Sequence, residues 1–250
     1  QKIIQVDIEA TAIGLHRPVD VGISGDARAV LAALLAEVQA RTGPRPEHAG
    51  FEGYRALTRA WQGELDMTLQ VEMGAVHPGR MVQAVRDFFP RDAITVMDGG
   101  NTSLWTASYH PILAPRSYLY TAKFGHLGTG LPYAIGAKLA APDRPVCLIS
   151  GDGALGFNLL ELETARRYDL PITVVVSCDR GWGMERSSQM FAQLPGLVEC
   201  DLYPGARYDR VAEALGCHGE LVEDLGSLRP ALERAAGCVK PALIQLRVEP

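Results

Sequence analysis

Val146-Cys147-Leu148-Ile149-Ser150-Gly151-Asp152-Gly153-Ala154 decides the fold of this 250-residue chain. Its first five residues make a short, uncharged, β-rich run without alternation, the pattern of a strand covered on both faces. Glycines flanking Asp152 then break the run, and helical spacing follows over residues 158–167. Runs of the same kind stand on either side: Ala93-Ile94-Thr95-Val96-Met97, Ile172-Thr173-Val174-Val175-Val176 and Ala242-Leu243-Ile244-Gln245-Leu246. Between and after them, helices are predicted at 131–139, 158–167, 208–215 and 227–236. Short apolar strands separated by helices call for an α/β fold, a parallel sheet with helices on both faces. Three predicted strands end in polar or glycine-rich turns: Asp98-Gly99-Gly100-Asn101, Gly151-Asp152-Gly153 and Ser177-Cys178-Asp179-Arg180-Gly181. Carboxyl ends of parallel strands are where such sheets place ligands.

Toward the N-terminus the pattern changes. The chain opens directly on a predicted strand, Ile3-Ile4-Gln5-Val6-Asp7-Ile8, a start that suggests a preceding segment in the complete protein. A Gly/Pro-containing stretch leads to a predicted helix at 26–35, which has an acidic start. Residues 41–53, holding Thr42-Gly43-Pro44-Arg45-Pro46, form the best linker and place a domain boundary nearby. A charged, aromatic helix is predicted at 54–69, and Pro78-Gly79-Arg80 opens another that ends before Phe89-Pro90. There is no internal repeat and no low-complexity tract.

Composition narrows the function. With 47% hydrophobic residues the chain has ample material for a core. A net charge of -5 without a Lys/Arg block argues against nucleic acid as a partner. No segment approaches 18 uninterrupted apolar residues, which argues against a membrane partner. The five cysteines are an odd set with no CxxC pair, fitting neither a disulfide scaffold nor a zinc knuckle and pointing to a reducing cytoplasm.

Gly151-Asp152-Gly153 read alone is open between two functions: a turn that lets a phosphate approach closely, and a tight turn whose aspartate only caps the next helix. Asp179 ends the next predicted strand, and parallel neighbours bring such ends together. Two carboxylates, a backbone carbonyl, a diphosphate and water suffice for octahedral Mg2+. Zinc is disfavoured because the six histidines are scattered. Cys178 has no identifiable base partner and reads as an inert thiol rather than a nucleophile. Gly125-His126-Leu127-Gly128-Thr129-Gly130 lacks the GxGxxG spacing of dinucleotide folds, and no GxxxxGK[ST] element is present.

Gly151-Asp152-Gly153 followed by Asp179 resembles the cofactor signature of thiamine diphosphate enzymes. The segment from Phe124 through Gly125-His126-Leu127-Gly128-Thr129-Gly130-Leu131-Pro132 to Ala137 resembles acetolactate-synthase-like members in particular. Gln5-Val6-Asp7-Ile8, Pro18-Val19-Asp20-Val21 and Gly25-Asp26-Ala27 resemble the end of that family's central domain. The resemblance implies the end of a central domain over 1–40, a linker and connecting helix over 41–75, and the diphosphate-binding domain over 76–250. It implies Mg2+ held by Asp152, Asp179 and the backbone oxygen of Gly181. Gly153, Ala154, Asn101 and Thr102 would border the diphosphate. Leu127 would prop the bent cofactor, the Gly125 carbonyl would face the aminopyrimidine, and Met184 would pack close by. On the residues alone, Leu127 and Met184 read equally as core packing. One departure stands out: Cys178-Asp179 replaces the usual Asn-Asn pair, keeping an oxygen ligand while adding a negative charge.

In this family the cofactor acts as a carbanion store for making and breaking carbon-carbon bonds. The activating glutamate comes from a pyrimidine-binding domain, so no catalytic residue is assigned here, and Glu161 and Glu163 read as packing or surface positions. The resemblance implies a carbon-carbon lyase or carboligase, of lyase or transferase type, acting on 2-keto or 2-hydroxyacyl small molecules. Completion would require a pyrimidine-binding domain from a missing N-terminal region or another chain, in a homodimer or homotetramer. Alternatives are an acetolactate synthase catalytic subunit and a noncatalytic cofactor-binding or assembly subunit. Coenzyme A and FAD stay open, as does whether Trp105 or Trp182 shapes an acyl pocket or packs internally.

Overall fold

The computed structural model describes residues 1–42, 50–70, 74–121 and 124–249, in two units, 1–62 and 63–250. In the first unit β1 (Ile4–Asp7) pairs in parallel with β2 (Val21–Ser24). The helix α1 (Ala27–Arg41) begins where the Asp26 side chain accepts the Ala29 amide at 2.9 Å. It runs on to Arg41, beyond the predicted end at 35. Of the expected linker, residues 43–49 lie outside the described residues, while 50–53 already belong to α2 (Gly50–Leu69). The boundary between the units falls within α2.

The second unit is the α/β layer domain expected from the strand pattern. After α3 (Pro78–Phe88) come β3 (Ile94–Asp98), α4 (Asn101–Tyr109), β4 (Tyr118–Leu119) and α5 (Gly130–Ala140). Next are β5 (Val146–Gly151), α6 (Asp152–Gly156), α7 (Glu161–Arg167), β6 (Thr173–Cys178) and α8 (Gly183–Phe191). The unit closes with α9 (Tyr208–Ala214), β7 (His218–Val222), α10 (Leu225–Ala236) and β8 (Ala242–Arg247). All six strands run parallel in the order β4-β3-β5-β6-β8-β7. The chain leaves β3 toward β4 on one side and β5 toward β6 on the other. That reversal opens a crevice beyond the carboxyl ends of β3 and β5, where Asp98 is paired with Ser150.

The four central strands β3, β5, β6 and β8 are mostly apolar because both faces of the sheet are covered. On one side Cys147, Ile149, Val175 and Ile244 pack with Met81, Val82 and Val85 of α3 and Leu228 and Leu232 of α10. On the other, Val96, Leu148, Val174 and Leu243 pack with Leu131 and Ala134 of α5, Leu162 of α7 and Ala212 of α9. Each fully buried Leu, Ile or Val contributes about 1.5–3 kcal/mol, so truncating Ile149 to Ala in this matrix costs about 2–5 kcal/mol. Two expected boundaries need correction. The helix predicted from 158 starts at Glu161, after the separate short α6, and Ser177 and Cys178 complete β6 rather than opening its turn.

Candidate functional site

Each expected turn sits at the carboxyl end of its strand, and together they line one cleft. Its walls include Asn101, Thr102, Leu127, Asp152, Gly153, Ala154, Asp179, Gly181 and Met184. Nine of the ten residues singled out in the sequence are thus brought together. The tenth, Gly125, stands exposed two positions before Leu127, at φ +59.

Glycine is required where the walls touch. A Cβ on Gly153 would lie 2.9 Å from the Trp182 ring, and one on Gly100 would lie 2.8 Å from the Met184 Cβ. At Gly183 it would fall 2.7 Å from both the Asn101 Nδ2 and an Asp179 oxygen. These glycines let three separate turns close around one small space.

Asp152 is 2% exposed at the junction of β5 and α6. Its Oδ1 accepts the Gly153 amide at 2.9 Å; its Oδ2 accepts the Arg180 amide at 2.9 Å and the Cys178 thiol at 3.3 Å. The Arg180 amide is aimed there by a left-handed backbone at φ +60. Burial raises the Asp152 carboxyl above its ordinary range despite these donors. Asp179, whose Oδ1 accepts the Gly181 amide at 3.2 Å, is pushed up to about 6 by burial and then by the charge of Asp152. Two buried carboxylates, the charge of one opposing ionisation of the other, stand beside a glycine-lined cleft and form a donor set a divalent cation would satisfy. Among the described residues no group of three or more His, Cys, Asp or Glu side chains is placed to hold a metal. A cation here would therefore complete its shell with backbone oxygen, phosphate or water. Burial, followed by the neighbouring Asp152, drives the Cys178 thiol up to about 12, in keeping with an inert sulfur.

Asp98 is a site-building residue that the sequence reading passed over. Buried at the end of β3, it accepts the Gly130 amide at 2.7 Å and the Gly128 amide at 3.3 Å. Asn158 donates to the Gly128 carbonyl at 2.6 Å, so the loop carrying Leu127 is pinned from two sides. Burial raises the Asp98 carboxyl, against the pull of these amides. The only sequence signal was an aspartate ending an apolar strand before Gly99-Gly100.

The tryptophans divide. Trp105 packs in the core against His77 and Tyr109, at ring separations of 5.0 and 6.1 Å, and does not line the cleft. Trp182 does line it and meets Phe157 edge-on at 5.9 Å. Glu161 accepts a hydrogen bond from Thr164, and Glu163 pairs with Arg167, both outside the cleft. Among the described residues, no helix is long and apolar enough to cross a membrane, and all five cysteines are free.

A family model described as "Thiamine pyrophosphate enzyme, C-terminal TPP binding domain" matches residues 98–246. The acetolactate synthase large subunit IlvG of Mycobacterium tuberculosis is 36% identical over 235 residues, covering 94% of this chain and 42% of that protein. Sulfoacetaldehyde acetyltransferase of Alcaligenes xylosoxydans xylosoxydans is 33% identical over 260 residues, with the same coverage of 94% and 42%. Among solved structures, a thiamine diphosphate-dependent 4-hydroxybenzoylformate decarboxylase from Rhodococcus jostii RHA1 superposes with a TM-score of 0.77 at 25% identity, covering 99% of this chain and 44% of the other. The chain thus spans about two fifths of the length of the curated relatives it matches.

Proposed function

The chain belongs to the thiamine pyrophosphate enzymes through their C-terminal TPP-binding domain, and from that membership we propose that it supplies the diphosphate-binding half of a carbon-carbon lyase or carboligase. The observation that carries the proposal is the meeting of Asp152 and Asp179 with a glycine-walled cleft at the point where the strand order reverses. Thiamine diphosphate, when bound, supplies carbanion stabilisation next to a carbonyl. The chain's own residues bind and orient.

Asp152 and Asp179 hold Mg2+, with the Gly181 backbone oxygen as the third protein ligand. Gly153 and Ala154 border the diphosphate, and Asn101 and Thr102, opening α4, border it from the second loop. Leu127 and Met184 form apolar walls, and the Gly125 carbonyl meets the aminopyrimidine. Residues 1–40 are the end of a central domain, 41–75 a linker and connecting helix, and 76–250 the diphosphate-binding domain.

The activating carboxylate comes from a pyrimidine-binding domain outside residues 1–250, in the same protein or in another chain of a cytoplasmic homodimer or homotetramer. Substrates are small 2-keto or 2-hydroxyacyl compounds. This range is supported by relatives whose names describe acetolactate synthases and sulfoacetaldehyde acetyltransferases, and by a structural neighbour that is a decarboxylase. The test is to supply the assembled protein with thiamine diphosphate, Mg2+ and a panel of 2-keto acids, and to follow carbon dioxide release and new carbon-carbon bonds. Cleavage or ligation that disappears in Asp152→Ala supports the proposal. Binding without turnover of any 2-keto or 2-hydroxyacyl compound contradicts it.

A further inference from the structure

Gln245 is a buried polar side chain between the apolar residues Ile244 and Leu246 of β8, 3% exposed. Its amide is fully engaged. Oε1 accepts the Tyr208 amide at 2.8 Å and the Asp209 amide at 3.4 Å, while Nε2 donates to the Ala206 carbonyl at 2.9 Å. The same Nε2 reaches the Cys178 sulfur at 3.8 Å on the neighbouring strand. Two backbone donors on one end and a backbone acceptor on the other leave the amide a single orientation. Cys178, also 3% exposed, therefore receives a donor from Gln245 and faces the Asp152 Oδ2 at 3.3 Å with its own S–H. A thiol has one proton, and the geometry directs it at the carboxylate.

We propose that Gln245 and Cys178 are positioning residues for the Asp152 carboxylate, a relay that ties the metal-facing turn after β5 to β8 and the start of α9. The proposal rests on the reading of Asp152 as a metal ligand. Oδ2 is held by the Cys178 thiol and the Arg180 amide, whereas Oδ1 accepts only the Gly153 amide among the described residues. The relay thus fixes the carboxylate plane by one oxygen and leaves the other with capacity for a cation. Partners that orient a ligand without touching the metal commonly govern metal affinity by tenfold or more. This reading also gives a function to Cys178, which stands where the resembled family has an asparagine: a neutral donor is kept although the amide is gone.

The test is a calorimetric titration of the full-length protein with Mg2+ at fixed thiamine diphosphate, alongside melting of the ligand-free protein. Cys178→Ala, and Cys178→Val as a space-filling variant without a donor, are expected to weaken Mg2+ binding by about tenfold or more while the ligand-free fold is kept. Cys178→Ser, which restores a donor, is expected to recover most of the loss. Gln245→Met is expected to weaken binding in the wild-type background and to add little in Cys178→Ala, because the two residues act in series. Unchanged affinity in both non-donor variants, or fully additive losses, would overturn the relay. Asp152→Ala separates the two levels: if it abolishes binding while Cys178→Ala and Cys178→Val leave the affinity unchanged, the relay alone fails, and if Asp152→Ala binds normally, the metal site fails with it.

Discussion

Asp179 carries a disfavoured charge in the ligand-free protein. Burial and the nearby Asp152 raise its carboxyl from 3.8 to about 6. A raised folded value means that this group favours the folded state most below 3.8, and that the contribution is lost as pH rises through 6. Asp179→Asn, which cannot ionise, should therefore melt higher than wild type at neutral pH without ligand, by about 3 °C or more. The gap should close as the pH falls toward 4, and an equal gap across the range would show that the charge is not its cause. The same proton competes with a cation, so Mg2+ binding to the wild type should weaken below about pH 6. Both aspartates were legible because each follows an apolar run at a strand end. Their partners were not: Cys178 and Gln245 are 67 positions apart and meet only through β-pairing.

At the scale of elements, the loop before α5 is the part of the site that depends most on a distant anchor. Asp98→Ala would leave the Gly128 and Gly130 amides without their acceptor in a buried place, at a cost of about 1–3 kcal/mol. Thermal melting should show that loss, and titration with thiamine diphosphate should show weaker binding, since the same loop carries Leu127. Leu127→Ala should act differently. The side chain is only half-buried and lines the cleft, so turnover is expected to fall by about tenfold to a hundredfold with little change in melting temperature. A parallel loss of fold and turnover would assign it to packing instead.

Of the five strands read from the sequence, the four in the six-stranded sheet are buried on both faces, where continuous apolar runs leave no ambiguity of period, and the fifth is β1. The elements that went unread lack that signature. β4 has two residues, and β7 is a half-buried edge strand whose Glu220 is paired with Arg234. The helix α4 starts inside what looked like a polar turn, because Asn101 and Thr102 are both cleft wall and first helical residues. For Asp98, the deciding partners lie thirty and more positions away.

At the largest scale, the parallel sheet organises the second unit: its strand reversal sets the cleft, and helices pack on both of its faces behind the turns. The chain covers 42% of the curated relatives it resembles, and under the proposed function the remainder includes the pyrimidine-binding half. Residues 1–250 alone are accordingly expected to bind thiamine diphosphate weakly and to turn over no 2-keto acid, with turnover appearing when a pyrimidine-binding domain is supplied. Turnover by the 250 residues alone would contradict that division of labour. The most direct measurement is calorimetric titration of thiamine diphosphate into the assembled protein with Mg2+, with a chelator, and with Asp152→Ala. Binding that requires Mg2+ and is lost in the variant is the predicted result; binding that is indifferent to the chelator and undiminished in Asp152→Ala would contradict it.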